Sequence, residues 1–330
     1  MKALILQKFS KVPAIAVADW PKPQPGPGQV LVRLAAAGLN PADLHIASGD
    51  MQMMSPRKPP FPLGVDGAGV VESDGARFRR GDRVMFYTGL VHCGTLAEAM
   101  AVPESWLAPV PEGWSLDEAA AAPLALLVAQ KVLDRAGAKA GESLFVPGAG
   151  GPVGAAVVAL AVARGLSVHA SGSGADEAYV RGLGAVGFSD YRQGQVRDLG
   201  RRFDIAFDSL GGQVFDDCLA LIRRGGRIVS LKAMTGTADI EAMGMQVPMV
   251  LRPLLPILFR RPRKAAEKAG ARLIGLASFA DGAALGLAAE AAAKAGHRVR
   301  IDSTFQLAQV DQAFARLGAG PRGKVVVRID

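Results

Sequence analysis

Hydrophobic and polar positions change rhythm twice along this chain. Up to about residue 115, short apolar runs alternate with turn chemistry: ALIL (3–6), AIAVA (14–18), PQPGPGQ (23–29), VLVRLAAAG (30–38), GVVES (69–73) and GDRVMFY (81–87). Such runs predict a β-rich unit. At Ser115 the texture changes. Ser115-Leu-Asp-Glu118 has the spacing of a capping box, and the alanine-rich run to about Arg135 predicts one continuous helix. From Gly141 strands and helices alternate: SLFVPG (143–148), a helix over 152–164, LSVHASG (166–172), a helix over 175–183, AVGFSD (185–190), DIAFDSLG (204–211), a helix over 213–223, GRIVSLK (226–232) and ARLIGLAS (271–278). This alternation predicts an α/β fold, a doubly wound parallel sheet with helices on both faces. RVRIDSTFQ (298–306), a helix over 311–317 and GKVVVRI (323–329) then return to strand character. They are expected to complete the first unit's sheet, giving one domain of 1–120 with 297–330 and a second of 121–296.

Composition narrows the class. With 330 residues, half of them hydrophobic, the chain is long enough for two cores. Cys93 and Cys218 are its two cysteines and form no C-x-x-C, so neither a disulfide framework nor a cysteine zinc site is expected. A reducing, cytoplasmic location follows by default. MKALILQKFSKV reads as a first strand rather than a signal peptide. No run reaches the ~20 apolar residues of a membrane span. VPMVLRPLLPILF (247–259), flowing into Arg260, Arg261, Arg263 and Lys264, comes nearest, and its functional reading is a helix lying on a membrane surface; the bland reading of the chain's net positive charge is a solvated surface with surplus arginine. The formal charge of +8 comes without a nucleic-acid motif or interleaved aromatics, so no nucleic-acid partner is expected.

The stretch VPGAGGPVG (146–154) leads from a strand into a helix. A dinucleotide turn needs a small residue at the bend, a glycine where backbone approaches pyrophosphate, and a third for helix-to-strand packing. Ala149, Gly151 and Gly154 have that spacing, and the amides from Gly150 to Gly154 open the helix toward an anion. Pro152 suits a first helical position, where an N–H is not needed, and Val153 follows it. No Gly-Lys-Ser/Thr follows, which excludes a P-loop. About twenty residues on, where an acid would grip the adenosine ribose of NAD, stand Ser171 and Ser173. With no carboxylate there to repel a 2'-phosphate, NADP(H) is favoured, although Asp176 and Glu177 lie close by.

Across its whole length the chain resembles the zinc-independent quinone oxidoreductases, the ζ-crystallin-like group of the medium-chain dehydrogenase/reductase superfamily. The resemblance rests on AAAGLNPADLHIASG (35–49), PLGVDGAGVVE (62–72), GDRV, AGESLFVPGAGGPVG (140–154), LGAVGFSDYR (183–192), FDSLGG (207–212), GGRIVSL (225–231) and GKVVV (323–327). It implies a Rossmann-type cofactor domain beside a GroES-like catalytic domain, and a homodimer. It places cofactor contacts at the glycine turn, Ser171, Ser173, Tyr191, Leu231, Lys232, Ala233, Ile274, Gly275 and Leu276. The family lysine that meets a 2'-phosphate would fall at Asp176, so Arg192 or Arg181 would have to compensate. Zinc-dependent members carry a cysteine where Asn40 stands and Gly-His-Glu where Gly64-Val65-Asp66 stand, and asparagine and valine do not replace thiolate and imidazole. No metal is expected.

On the substrate side, Asn40 and Asp43 match the family's Asn-x-x-Asp. Tyrosines common nearby would fall at His45 and Met51, and a threonine touching the carboxamide at Val128. Asn40 is the expected donor to a substrate oxygen, His45 a candidate proton source, and Asp43 a candidate for holding Asn40 in place. The chemistry implied is hydride delivery from NADPH to a quinone or an α,β-unsaturated carbonyl. An enoyl-thioester reductase and a non-catalytic NADPH-binding protein are the alternatives. Residues 234–271, longer and more basic than the usual connection, suggest a lid, a dimer arm or a membrane-facing patch.

Overall fold

A computed structural model describes residues 1–329 apart from 51, 53–56, 195, 234–235, 242–246 and 250–251. The chain opens with β1 (Lys2–Lys8), β2 (Ala14–Asp19), β3 (Gln29–Leu39), α1 (Pro41–Ser48), β4 (Phe61–Pro62), β5 (Asp66–Val71), β6 (Arg83–Tyr87), β7 (Ala99–Pro103) and β8 (Leu107–Pro109). Alternate residues of β3 (Val30, Val32, Leu34, Ala36) are fully buried while Arg33 is exposed, the period-two signature of a strand with one face on a core.

Ser115 caps the next helix as its spacing predicts: Glu118 N donates to Ser115 Oγ at 3.2 Å, and Ser115 N donates to the Glu118 carboxylate at 2.7 Å. The continuous helix expected to Arg135 is instead two, α2 (Leu116–Ala121) and α3 (Pro123–Ala136). Pro123 has no N–H for the i−4 bond, so the run breaks there and restarts with proline in the first turn.

Strand and helix then alternate through β9 (Ser143–Val146), α4 (Pro152–Ala163), β10 (Ser167–Gly172), α5 (Glu177–Gly182), β11 (Gly187–Asp190), β12 (Phe203–Asp208), α6 (Gln213–Leu221), β13 (Ile222–Ser230), α7 (Thr237–Glu241), α8 (Leu255–Leu258), α9 (Arg260–Ala269), β14 (Arg272–Gly275) and α10 (Gly282–Lys294). The six strands form one sheet in the order β11-β10-β9-β12-β13-β14, every pairing parallel. That is the doubly wound order with its switch point between β9 and β12, where such sheets take ligands at their carboxyl ends. After β15 (Ile301–Gln306) and α11 (Val310–Gly318), β16 (Lys324–Arg328) lies antiparallel against β3, pairing Val325 with Leu39. The closing segment therefore completes the first sheet, ordered β15-β16-β3-β5-β6-β8 with β7 also on β3.

Nearly every face of α3 is covered, including Leu126, Leu127, Val128, Val132 and Leu133, because it runs through the core shared by the six-stranded and seven-stranded sheets. Among the described residues no helix is long and apolar enough to cross a membrane. The 247–259 stretch falls partly outside them; where described it leaves Met249, Leu254 and Ile257 exposed ahead of the basic α9.

Candidate cofactor and substrate site

β9 ends at Val146, and the chain bends through Gly148, whose φ of 64° favours glycine, before α4 begins at Pro152 with Gly151 as its extended N-cap. Ala149 N donates to Ser171 O (3.0 Å), tying the bend to the end of β10. A Cβ on Gly154 would lie 2.4 Å from the Gly148 carbonyl oxygen, and one on Gly150 equally close to a carboxylate oxygen of Asp176. One on Gly151 would meet only Gly148 O, at 3.5 Å. Packing therefore demands glycine at 150 and 154, whereas the space beside Gly151 is open to something that is not protein. With the unsatisfied amides of the first helical turn, this cradle fits a pyrophosphate.

The other candidate cofactor residues follow the carboxyl ends of the parallel strands. Ser171 is buried at the end of β10 and Ser173 follows it. Tyr191 is 56% exposed in the turn after β11, with the Arg192 guanidinium 5.7 Å from its ring centre. Leu231, Lys232 and Ala233 leave β13 in a bend organised by Asp208, a fully buried acid that the sequence pattern does not single out. Asp208 accepts from Leu210 N, Gly211 N and Ser230 Oγ; Ser230 Oγ in turn accepts from Lys232 N and Ala233 N. Leu276 N donates to Ser230 O at 2.9 Å, which draws Ile274, Gly275 and Leu276 to the same edge. Arg181, one of the two arginines named to compensate for the missing lysine, pairs with Glu177 (2.8 Å), and the other, Arg192, lies over Tyr191. Asp176 is held instead by Arg300 and Arg322.

Asn40 belongs to a buried polar cluster. Its Nδ2 donates to Gly38 O (3.2 Å) and Asp66 Oδ2 (3.0 Å), while its Oδ1 accepts from Lys324 Nζ at 2.5 Å. Lys324 also pairs with Asp66 (2.7 Å), whose other oxygen accepts from Leu124 N at the start of α3. Both amide hydrogens of Asn40, the expected donor to a substrate oxygen, are thus engaged inside the protein. Asp43 Oδ2 accepts from Asn40 N (2.8 Å), closing the α1 capping box, and its Oδ1 is buried with no partner among the described residues. Burial pushes the Asp43 carboxyl up to about 7. His45 turns away from this cluster: its ring is half-exposed and Nδ1 meets the Asp50 carboxylate at 2.8 Å. Val65, Tyr87 and Val128 are buried nearby. Cys93 is buried too, its thiol pushed up to about 12 by desolvation, which makes it a packing residue rather than a nucleophile. Met51 lies outside the described residues.

Zinc does not fit this donor set. The cysteine-equivalent position holds an amide already bonded to an ammonium group, the histidine-equivalent position holds an alkyl side chain, and Lys324 sets a positive charge among them. Among the described residues no group of three His, Cys, Asp or Glu side chains converges.

A parallel six-stranded sheet with a glycine cradle at its switch point, joined to a β-rich unit closed by the chain's last strand, defines a two-unit dinucleotide-binding architecture. Residues 26–112 match the alcohol dehydrogenase GroES-like domain, and residues 183–327 match the zinc-binding dehydrogenase family. The solved quinone oxidoreductase of Thermus thermophilus, studied with and without NADPH, is 30% identical, with a TM-score of 0.77 over 99% of this chain and 100% of that one. The chain belongs to the medium-chain dehydrogenase/reductase superfamily, in its quinone oxidoreductase-like group. A 2-methylene-furan-3-one reductase of Solanum lycopersicum is 35% identical over 62% of this chain, and a phenolphthiocerol synthesis polyketide synthase of Mycobacterium bovis is 36% identical over 68%. The match spans about half of the tomato reductase (54%) and about a tenth (11%) of the synthase.

Proposed function

We propose that this protein is a zinc-independent, NADPH-dependent reductase that delivers hydride to a quinone or an α,β-unsaturated carbonyl. The observation that carries the reading is the Asn40–Lys324–Asp66 cluster, which places a lysine ammonium among the positions a catalytic zinc would use. Without a metal to polarise it, the acceptor has to be electrophilic already, as quinones and enones are.

Reduced nicotinamide, when bound, supplies the hydride. The glycine cradle would hold the pyrophosphate, and the bend at residues 231–233, fixed by Asp208 and Ser230, would position the ring. Asn40 would lie beside the acceptor. To donate to an acceptor oxygen, its amide must exchange the Gly38 carbonyl, the longer of its two bonds, for the substrate. Lys324 and Asp66 keep the amide fixed while it does so, which is the preorganisation that stabilises developing oxyanion charge. Asp43 holds the Asn40 backbone. Domain limits of 1–120 with 297–330 and of 121–296, a cytoplasmic location and a homodimer belong to the same proposal. β11 and β14 are the two edges of the parallel sheet among the described residues, the strands through which two copies would join.

Similarity to a polyketide synthase favours an enoyl thioester as the second acceptor class. One experiment separates the readings: oxidation of NADPH and NADH followed with 1,4-benzoquinone, 9,10-phenanthrenequinone, a simple enone and crotonyl-CoA, before and after chelation. Turnover of quinones or the enone with NADPH, insensitive to chelator, is the expected result. Turnover of crotonyl-CoA alone would move the assignment to thioesters. Tight NADPH binding without oxidation by any acceptor would overturn the enzyme reading in favour of a binding protein.

A further inference from the structure

We propose that Met249, Leu254 and Ile257, together with the basic face of α9, dock on an anionic lipid surface, where the acceptor is a quinone dissolved in the bilayer. The docking stands on the surface itself, and the identity of the acceptor rests on the quinone reading above.

The segment that joins β13 to α9 has apolar side chains of two kinds. Ile240, Val247 and Leu255 are buried in one cluster with Val91, from the loop after β6, and Ala277, which follows β14; half-buried Leu90 and Phe259 pack against them. This cluster anchors the segment across the two units, one residue from the candidate cofactor contact Leu276. Met249, Leu254 and Ile257 are instead 84%, 54% and 68% exposed, so packing within the chain does not account for them. Scattered exposed apolar residues are ordinary, but three on one anchored segment mark a surface that meets something else.

Charge says what that is. α9 buries Ala266 and Ala269 in the core cluster that holds Phe215 of α6, and turns Arg260, Arg261, Arg263, Lys264 and Lys268 to the outside. Glu267 is the one acid in 260–268, and among the described residues Arg263 alone of these cations forms an ion pair, 3.8 Å from Glu267. Arg201, which donates to Ala269 O (3.0 Å), and Arg224, packed at Gly270, extend the positive surface past the end of the helix. Cations beside exposed apolar side chains match anionic headgroups over hydrocarbon. Two copies meeting through this face would set like charges against each other, and a nucleic acid would leave the three apolar side chains without a partner. Arg261 and Pro262 also line a cavity of about 260 Å³ with Lys232 and Ala233, so the basic helix adjoins the bend that would position the nicotinamide ring. A quinone with a long apolar tail partitions into a bilayer, and a protein docked by this face meets it there.

Docking is read without turnover, by co-sedimentation with vesicles of phosphatidylcholine alone and of phosphatidylcholine mixed with phosphatidylglycerol. Wild type should pellet with the mixed vesicles at low salt and be released as salt shortens the Debye length. The triple variant Arg260→Gln, Arg263→Gln, Lys264→Gln should bind about a hundredfold more weakly, roughly fivefold for each cation. Leu254→Ser with Ile257→Ser should bind about tenfold more weakly. Both should melt near wild type, since every altered side chain is exposed, and Arg80→Gln, an exposed cation of the first unit, should bind as wild type does. No pelleting, equal pelleting with phosphatidylcholine alone, or unchanged binding by both variants would overturn the docking. A dimer in solution that these variants dissociate would give the face to a second copy and overturn it as well. With a long-tailed quinone embedded in the mixed vesicles, NADPH oxidation should fall in the triple variant, while oxidation by 1,4-benzoquinone in solution stays unchanged. Equal rates for wild type and variant with the embedded quinone would overturn the bilayer as the acceptor's source. Vesicle binding with neither quinone reduced would remove the quinone reading and uphold the docking.

Discussion

Replacing Lys324 with methionine isolates the contribution of the buried ammonium. The change keeps most of the side-chain volume but removes both donors, to Asn40 Oδ1 at 2.5 Å and to Asp66 Oδ2 at 2.7 Å. Asp66 is fully buried, and its remaining donors are Asn40 Nδ2 and Leu124 N. Leaving one charge of a buried pair uncompensated costs about 3–5 kcal/mol. Spread over 330 residues, that lowers the melting temperature by roughly 4–7 °C. The site is too tight to relax easily: a Cβ on Gly38 would lie 2.8 Å from Lys324 Cε and 2.3 Å from Ala120 O. Urea unfolding and thermal melts of Lys324→Met, Asp66→Asn and the double variant would measure the pair. The double variant should be more stable than Lys324→Met, because no buried charge then lacks a partner, with a coupling of about 1–3 kcal/mol. A Lys324→Met protein within about 0.5 kcal/mol of wild type would refute the argument that this cluster is a charged, closed unit.

Two further predictions concern other elements. Gly154→Ala brings a methyl group to 2.4 Å from the Gly148 carbonyl, so it should cost about 1–3 kcal/mol and weaken NADPH binding; a variant that binds NADPH normally would show that the cradle does not hold the cofactor. His297 is buried with both ring nitrogens unpartnered among the described residues, and desolvation lowers it from 6.5 to about 4. Because the unfolded chain takes up this proton first, its contribution is whole above about pH 6.5 and is lost as pH falls toward 4, by about 3 kcal/mol. His297→Gln should lack that part of the acid slope, and equal slopes in urea titrations from pH 7 to 4 would sink the assignment.

The parallel sheet and the glycine turn were legible because both follow from local pattern: alternating strand and helix runs, a small-residue helix after a bend. The break at Pro123 was legible too, had proline been weighed above the alanine run around it. The polar cluster was only half visible. Asn40 and Asp43 lie three apart and mark a helix start, but the residue that decides what Asn40 does is Lys324, 284 positions away. Arg300 and Arg322 were hidden for the same reason: nothing local in their flanking sequence ties them to Asp176, and only the return of the chain brings them there. His45 looked chemical by type, whereas helical spacing from the buried Asp43 and Ile46 turns it outward.

The pairing of Leu39 with Val325 joins residues 286 positions apart, with the whole parallel sheet between them. Closing so long a loop through an unfolded chain is slow, and the edge of β3 would stand open meanwhile. A parallel unit that folds first shortens the effective loop to the distance between its own two ends. The order of assembly then runs against the order of the sequence, with the inserted unit folding before the sheet that surrounds it. Pulse-labelling hydrogen exchange during refolding should accordingly protect β9 and β12 before β3 and β16.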